Sequence, residues 1–181
     1  MVNAIPAGLR EWGSGLEELT ECYLKYICKY LVESGRVFQS EKEINHKTVS
    51  RSKYPRDIDL IAINPSEKKV VLVSCSESWD KTLEKTSEEF DDYENFITGP
   101  QGLGYGNELK VERIISCVNI SENKKLDLKK EHIVVLKACK MISELRDYLK
   151  KDNNRKGAHR ETILWLLQTL DKCYKIEELN E

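Results

Sequence analysis

Apolar residues recur along this chain with two different periods. Leu16, Leu19, Tyr23, Ile27, Tyr30 and Leu31 fall at helical spacing and predict a helix over 14–34. Ser14 and Glu17 fit a capping box at its start, and Gly35 fits the left-handed position just past its end. Residues 54–64 and 68–77 read instead as two adjacent strands, each a nearly continuous apolar run between polar and turn residues. Asn64-Pro65-Ser66-Glu67-Lys68 is short and rich in turn formers, which makes the pair a hairpin. Alternation puts Asp57, Asp59, Ile61 and Ile63 on one face of the first strand, opposite Ile58, Leu60 and Ala62. On the second, Val70, Leu72, Ser74 and Ser76 share a face opposite Val71, Val73 and Cys75. A carboxylate at Asp59 inside such a strand is costly unless it is paired or holds a metal.

The remaining elements follow by the same rule. Residues 36–40 are expected to start the sheet, and the polar stretch 41–56 reads as a loop or ragged edge strand. An acidic amphipathic helix over 79–97 carries Leu83, Phe90, Tyr93, Phe96 and Ile97 on its apolar side. A glycine-rich connector over 98–106 lacks the spacing and the preceding strand of a dinucleotide-binding turn. Strands are predicted at 111–120 and 133–136, with a charged connection over 123–131 between them. Helices follow at 141–151 and 158–174, the last an appendage that packs on the core or on a second subunit of a homodimer. The reading is α/β: one domain over 1–181, with a central mixed sheet of about five strands flanked by helices.

Composition narrows the function classes. At 40% hydrophobic and 33% charged, the chain of 181 residues is an ordinary globular sequence. It has no apolar run long enough to span a bilayer and no charged-then-apolar leader, so a cytoplasmic protein without membrane attachment is expected. Cysteines 22, 28, 75, 117, 139 and 173 are scattered, without a CxxC pair or a nearby histidine, which argues against a zinc site or a disulfide framework. The net charge of −2 is no general signal of nucleic-acid binding. Its distribution is uneven, however. Lys47, Arg51, Lys53 and Arg56 form a basic run without an acid, Lys150 to Arg160 form a second, and 80–94 is strongly acidic.

The stretch Arg56-Asp57-Ile58-Asp59-Leu60-Ile61-Ala62, a tight turn, and an apolar strand ending in a polar pair one residue apart resemble the PD-(D/E)XK nucleases. These restriction-endonuclease-like proteins include Holliday-junction resolvases and Mrr-type enzymes. The resemblance covers about 13–137 and implies an α-β-β-β-α-β core plus C-terminal helices. It implies Mg²⁺ and a nucleic-acid substrate, DNA first. The family's strand aspartate corresponds to Asp59, and the first-helix glutamate to Glu17, with Glu18 and Glu21 behind it. Its Glu-x-Lys pair falls on Ser74 and Ser76, so half of the charged chemistry is replaced.

Cleavage of a phosphodiester with Mg²⁺ needs converging oxygen ligands and a cation near the developing charge. Glu17, Asp59 and the Cys75 backbone carbonyl are the candidate ligands, with Ser74 and Ser76 at the remaining catalytic positions. Glu77, Lys81 and Lys85 are the candidate substitutes for the missing charges, and Lys47, Arg51, Lys53 and Arg56 for phosphate contact. His46, His132 and His159 have no partner pattern, and no serine sits in a nucleophile elbow. Cys75 alternates away from the serines and reads as core. Two functions fit: a Mg²⁺-dependent nuclease with a degenerate or rearranged site, or a nuclease-fold protein that binds or scaffolds without cutting.

Overall fold

The computed structural model describes residues 14–38, 41–44, 47–50, 56–99, 110–151, 162–164 and 166–169. Helix α1 (Ser14–Tyr26) buries Leu16, Leu19, Cys22, Tyr23 and Leu24. It stops eight residues before the predicted end at residue 34, because Lys29 takes a left-handed φ of 62°. The Tyr30 amide donates back to the Leu24 carbonyl at 3.0 Å, and the chain leaves as strand β1 (Leu31–Phe38). Leu31 and Glu33 are exposed while Val32 packs inward, a period of two. Tyr30-Leu31-Val32 suits either period; antiparallel pairing with a neighbouring strand decides it. Gly35 therefore lies inside β1, with φ +70°, rather than beyond a helix.

Strands β2 (Glu41–Ile44) and β3 (Lys47–Ser50) form their own antiparallel pair where the polar sequence suggested a loop or ragged edge. Strands of four residues held by backbone pairing leave no apolar period to read. Strand β4 (Arg56–Asn64) and strand β5 (Lys69–Ser78) are antiparallel and joined by a 3₁₀ turn, Pro65–Glu67. Asn64 sets that turn: its Oδ1 accepts the amides of Ser66 at 3.1 Å and Glu67 at 3.3 Å. Lys68 completes it with a left-handed φ of 49°.

Helix α2 (Leu83–Thr98) is capped by Thr82, and buries Phe90, Tyr93 and Ile97 on the predicted side. Residues 100–109, most of the glycine-rich connector, lie outside the described residues. Strand β6 (Lys110–Asn119) follows, then helix α3 (Glu122–Lys130), strand β7 (Ile133–Lys137) and helix α4 (Ala138–Leu149). Helix α3 corrects the expectation of a charged connection. It buries Leu128 alone, so it has no apolar stripe, and its start is marked only by Ser121, whose hydroxyl accepts the Lys124 amide at 3.4 Å. Helical backbone resumes over 162–164 and 166–169, within the predicted 158–174.

The sheet is mixed and five-stranded, in the order β1-β4-β5-β6-β7. Pairing is antiparallel from β1 to β5 and parallel from β5 to β7. Helices cover both faces. Leu60, Ala62, Val71, Val73 and Ile114 meet α1 and α4, with Leu164 and Leu167 in the same cluster. Ile58, Ile61, Val70, Leu72, Ile115 and Cys117 meet Phe90, Tyr93, Ile97 and Leu128 on the other side. Each of these large side chains stabilises the fold by about 1.5–3 kcal/mol through burial. Among the described residues no helix is long and apolar enough to cross a membrane.

Candidate functional site at the parting of two strands

One detail of β4 departs from strict alternation. Ile58 should share a face with Leu60 and Ala62, yet it packs in the cluster on the α2 side. The change of face brackets Asp59. The β4–β5 ladder runs from Asn64 and Lys69 to Leu60 and Val73, its last pair. Beyond that point the Cys75 amide is bonded by the side chain of Asp59, whose Oδ2 accepts it at 2.6 Å. An amide that a closed ladder would satisfy is here satisfied by a carboxylate. This explains how an acid is accommodated inside an apolar strand.

The other side of β5 stays paired. Cys75 lies opposite Ser116 in the parallel β5–β6 ladder, which continues to Ser78 and Asn119. Above these positions sits the first half of α1. Thr20 is fully buried, as is Ser116, and their hydroxyl oxygens are 2.7 Å apart. Thr20 Oγ1 also donates to the Leu16 carbonyl at 2.6 Å. A threonine has a single hydroxyl hydrogen, so Ser116 is the donor to Thr20. The Cys75 thiol packs at 3.9 Å from the same threonine oxygen.

Electrostatics identify what else converges here. The Cys75 thiol is pushed far above its ordinary pKa, first by burial, then by the charge on Asp59, with Glu17 adding to it. Bonds from Thr20 and Ser116 oppose that rise without reversing it. The charges of two carboxylates from distant parts of the sequence thus both raise the pKa of this one half-buried thiol. The thiol there is neutral and is no nucleophile.

The sequence-derived candidates divide by face. Glu17, in the first turn of α1, and Asp59 both act on Cys75. Ser74 is buried and Ser76 half-buried; β5 alternation gives them the parity of Val70 and Leu72, on the α2 side. Asp59 touches the backbone between them. Ser76 Oγ donates to the Ser78 carbonyl at 2.9 Å. Glu77 is exposed near the end of β5, and Lys85 is exposed in the first turn of α2. Lys81 is engaged elsewhere: its Nζ lies 2.5 Å from Glu89 Oε2 and 4.9 Å from the centre of the Trp79 ring. Among the described residues, no group of three or more His, Cys, Asp or Glu side chains is arranged to hold a metal ion.

Of the basic run, Lys47 begins β3 and Arg56 begins β4, but their side chains, and all of Arg51 and Lys53, lie outside the described residues. Sequence reasoning missed Thr20 and Ser116. Each is a hydroxyl within an otherwise apolar stripe, and Thr20 stands three residues after Glu17 on the same helix face. That spacing was the available signal.

A scan against protein-family models finds no match, and a comparison with curated proteins finds none. Among solved structures the chain is similar to a repair endonuclease from Pyrococcus abyssi, at 14% sequence identity and a TM-score of 0.37. The likeness covers 72% of this chain and 49% of that one. At this distance it adds nothing to the geometry.

Proposed function

We propose that this chain is a nuclease-like protein of nucleic-acid processing, with a degenerate Mg²⁺-dependent phosphodiesterase site where β4 and β5 part. The observation that carries the reading is the Asp59 carboxylate held 2.6 Å from the Cys75 amide, with the Glu17 charge acting on the same point. The donor set suits Mg²⁺, a hard ion that takes oxygen ligands, keeps several waters and is often held by one or two carboxylates. Asp59, Glu17 and the Cys75 carbonyl would hold it. When bound, such an ion polarises a phosphoryl oxygen and activates a water.

The chain's own residues set the limits of the chemistry. Asp59 and Glu17 gather negative potential at one end of the sheet. Burial keeps the Cys75 thiol protonated beside them, so it does not compete as an anion. Ser74 and Ser76, which stand where the resembled family has a carboxylate and a cation, carry no charge and have the parity of the α2 side of β5, so they supply neither group to the acids. Loss of one such charge-stabilising group commonly costs on the order of 10²- to 10³-fold in rate. Cleavage should therefore be slow. Lys47, Arg51, Lys53 and Arg56 serve phosphate contact, with DNA as the first substrate class, in a cytoplasmic setting, and a homodimer belongs to the same reading.

A second reading is favoured by Lys81, whose ammonium is held by Glu89 at 2.5 Å instead of standing as a replacement cation. On this reading the protein binds nucleic acid, or another protein, without cutting. One experiment separates the two: titration of Mg²⁺ and Mn²⁺ against duplex, single-stranded and branched DNA and against RNA, with wild type and Asp59→Asn side by side. Slow metal-dependent cleavage that Asp59→Asn abolishes supports the first reading. Salt-sensitive binding without cleavage supports the second.

A further inference from the structure

We infer that the Thr20–Ser116 hydroxyl pair is a positioning clamp, which fixes on the sheet, beside Cys75, the face of α1 that also carries Glu17. The inference deepens the reading of Glu17 and Asp59 as metal ligands and rests on it for its metal arm.

Three observations support the clamp. The two hydroxyls are fully buried and joined at 2.7 Å, although 96 residues separate them in sequence. Thr20 is tied in turn to its own helix through the Leu16 carbonyl at 2.6 Å, one residue before Glu17. Glu17 and Thr20 are three apart and so share a helix face. The sheet partner is equally well placed, since Ser116 is in register with Cys75, the residue whose amide Asp59 holds. A helix packed through leucines alone can slide or rotate by a fraction of an ångström at little cost. A directional hydroxyl chain inside a dry interface resists that movement, because breaking it strands buried polar atoms. Thr20 and Ser116 are thus positioning residues that act through Glu17.

The test compares Thr20→Val, Ser116→Ala, the double variant and Thr20→Ser with wild type. Valine keeps the shape of threonine without its hydroxyl, and serine keeps the hydroxyl. The first readout is the dissociation constant of Mn²⁺ alone, measured calorimetrically. Thr20→Val and Ser116→Ala are expected to weaken it about tenfold, as loss of groups that orient ligands does. The double variant should be within about twofold of either single one, because both remove the same bond. Thr20→Ser should stay within about twofold of wild type, because it keeps that bond. The second readout needs no metal: amide hydrogen exchange in α1 should rise in Thr20→Val relative to β5 and α4, and be restored in Thr20→Ser. Equal Mn²⁺ affinity in wild type and Thr20→Val overturns the clamp, as does faster exchange spread evenly over all elements. If wild type binds no Mn²⁺, the metal reading of the site fails, and the exchange pattern still decides the clamp.

Discussion

The carboxylate of Asp59, one residue beyond Leu60, accepts the amide hydrogen of Cys75, two beyond Val73, at 2.6 Å, just past the last β4–β5 pair. A side chain thus closes the space that separating strands leave open. The same carboxylate is then both a structural cap and a candidate metal ligand. Asp59→Ala is expected to leave a buried amide unsatisfied and to cost about 1–3 kcal/mol. Asp59→Asn retains an acceptor and should cost less. Urea denaturation of the three proteins measures the order.

Metal response separates the cap from a ligand. Binding to the folded state alone raises its stability by mass action, by about 2.7 kcal/mol at a hundredfold excess over the dissociation constant. Mg²⁺ and Mn²⁺ should raise the Tm of wild type and leave that of Asp59→Asn unchanged. An equal rise in both places the ion elsewhere.

Alkaline pH should weaken this fold. Tyr23 Oη donates to Glu144 Oε2 at 2.8 Å, and burial first, then that bond, raises the phenol well above its ordinary range. A pKa raised by folding means that the folded state holds its proton more tightly than the unfolded one. The contribution is fully present below about pH 10 and is lost as the pH climbs above it. Tyr23→Phe should reduce the alkaline slope of stability while costing about 1 kcal/mol at neutral pH, since Glu144 keeps access to water. Chemical denaturation at about pH 7, 9 and 10.5, spanning the ordinary phenol range, shows whether it does.

Binding to nucleic acid should be weak, non-specific and salt-dependent. Replacing Lys47, Arg51, Lys53 and Arg56 together should flatten the slope of log affinity against log salt, by about 0.9 for each phosphate that is no longer neutralised on duplex DNA. An unchanged slope assigns the binding to another surface, of which the 150–160 run is one.

Charge restoration tests whether Ser74 and Ser76 silence the site. Because β5 alternation puts Ser74 and Ser76 on the α2 side, away from α1 and Glu17, Ser74→Glu with Ser76→Lys should leave Mg²⁺-dependent cleavage at the wild-type level, as should each single change. Ser74 is only 4% exposed, so a thermal melt must accompany the assay to show that the larger side chain is accommodated. A folded double variant no faster than wild type removes these two positions as the cause.

The strands that make the site were legible because Ile58 to Ile63 and Val70 to Val73 are apolar runs of strand length with a marked turn between them. Helix α2 was legible through Phe90, Tyr93 and Ile97. The end of α1 was not, because the left-handed turn falls on Lys29, a residue with no special preference for it, while Gly35 offered a better stop. Helix α3 hid behind its charges. At the site, sequence pointed to Asp59 and Glu17 as isolated acids. It could not show that β4 and β5 part after Leu60, since the ladder ends by geometry rather than by any breaking residue. Nor could it pair Thr20 with Ser116 across most of the chain.

That separation bears on the order in which the molecule assembles. The β4–β5 hairpin closes over a few residues, through Asn64 and the left-handed Lys68, and so carries a small loop-closure cost. The Thr20–Ser116 bond spans 96 residues and forms only when α1 has docked on a sheet that already includes β6. We expect the hairpin turn to be structured in the folding transition state and the hydroxyl pair to form late, with φ-values high at Asn64 and near zero at Thr20. Mutations at the clamp then speed unfolding more than they slow folding. A partly opened molecule would lose the ligand geometry first while keeping the central hairpin, so any activity of this site reports on the last step of folding.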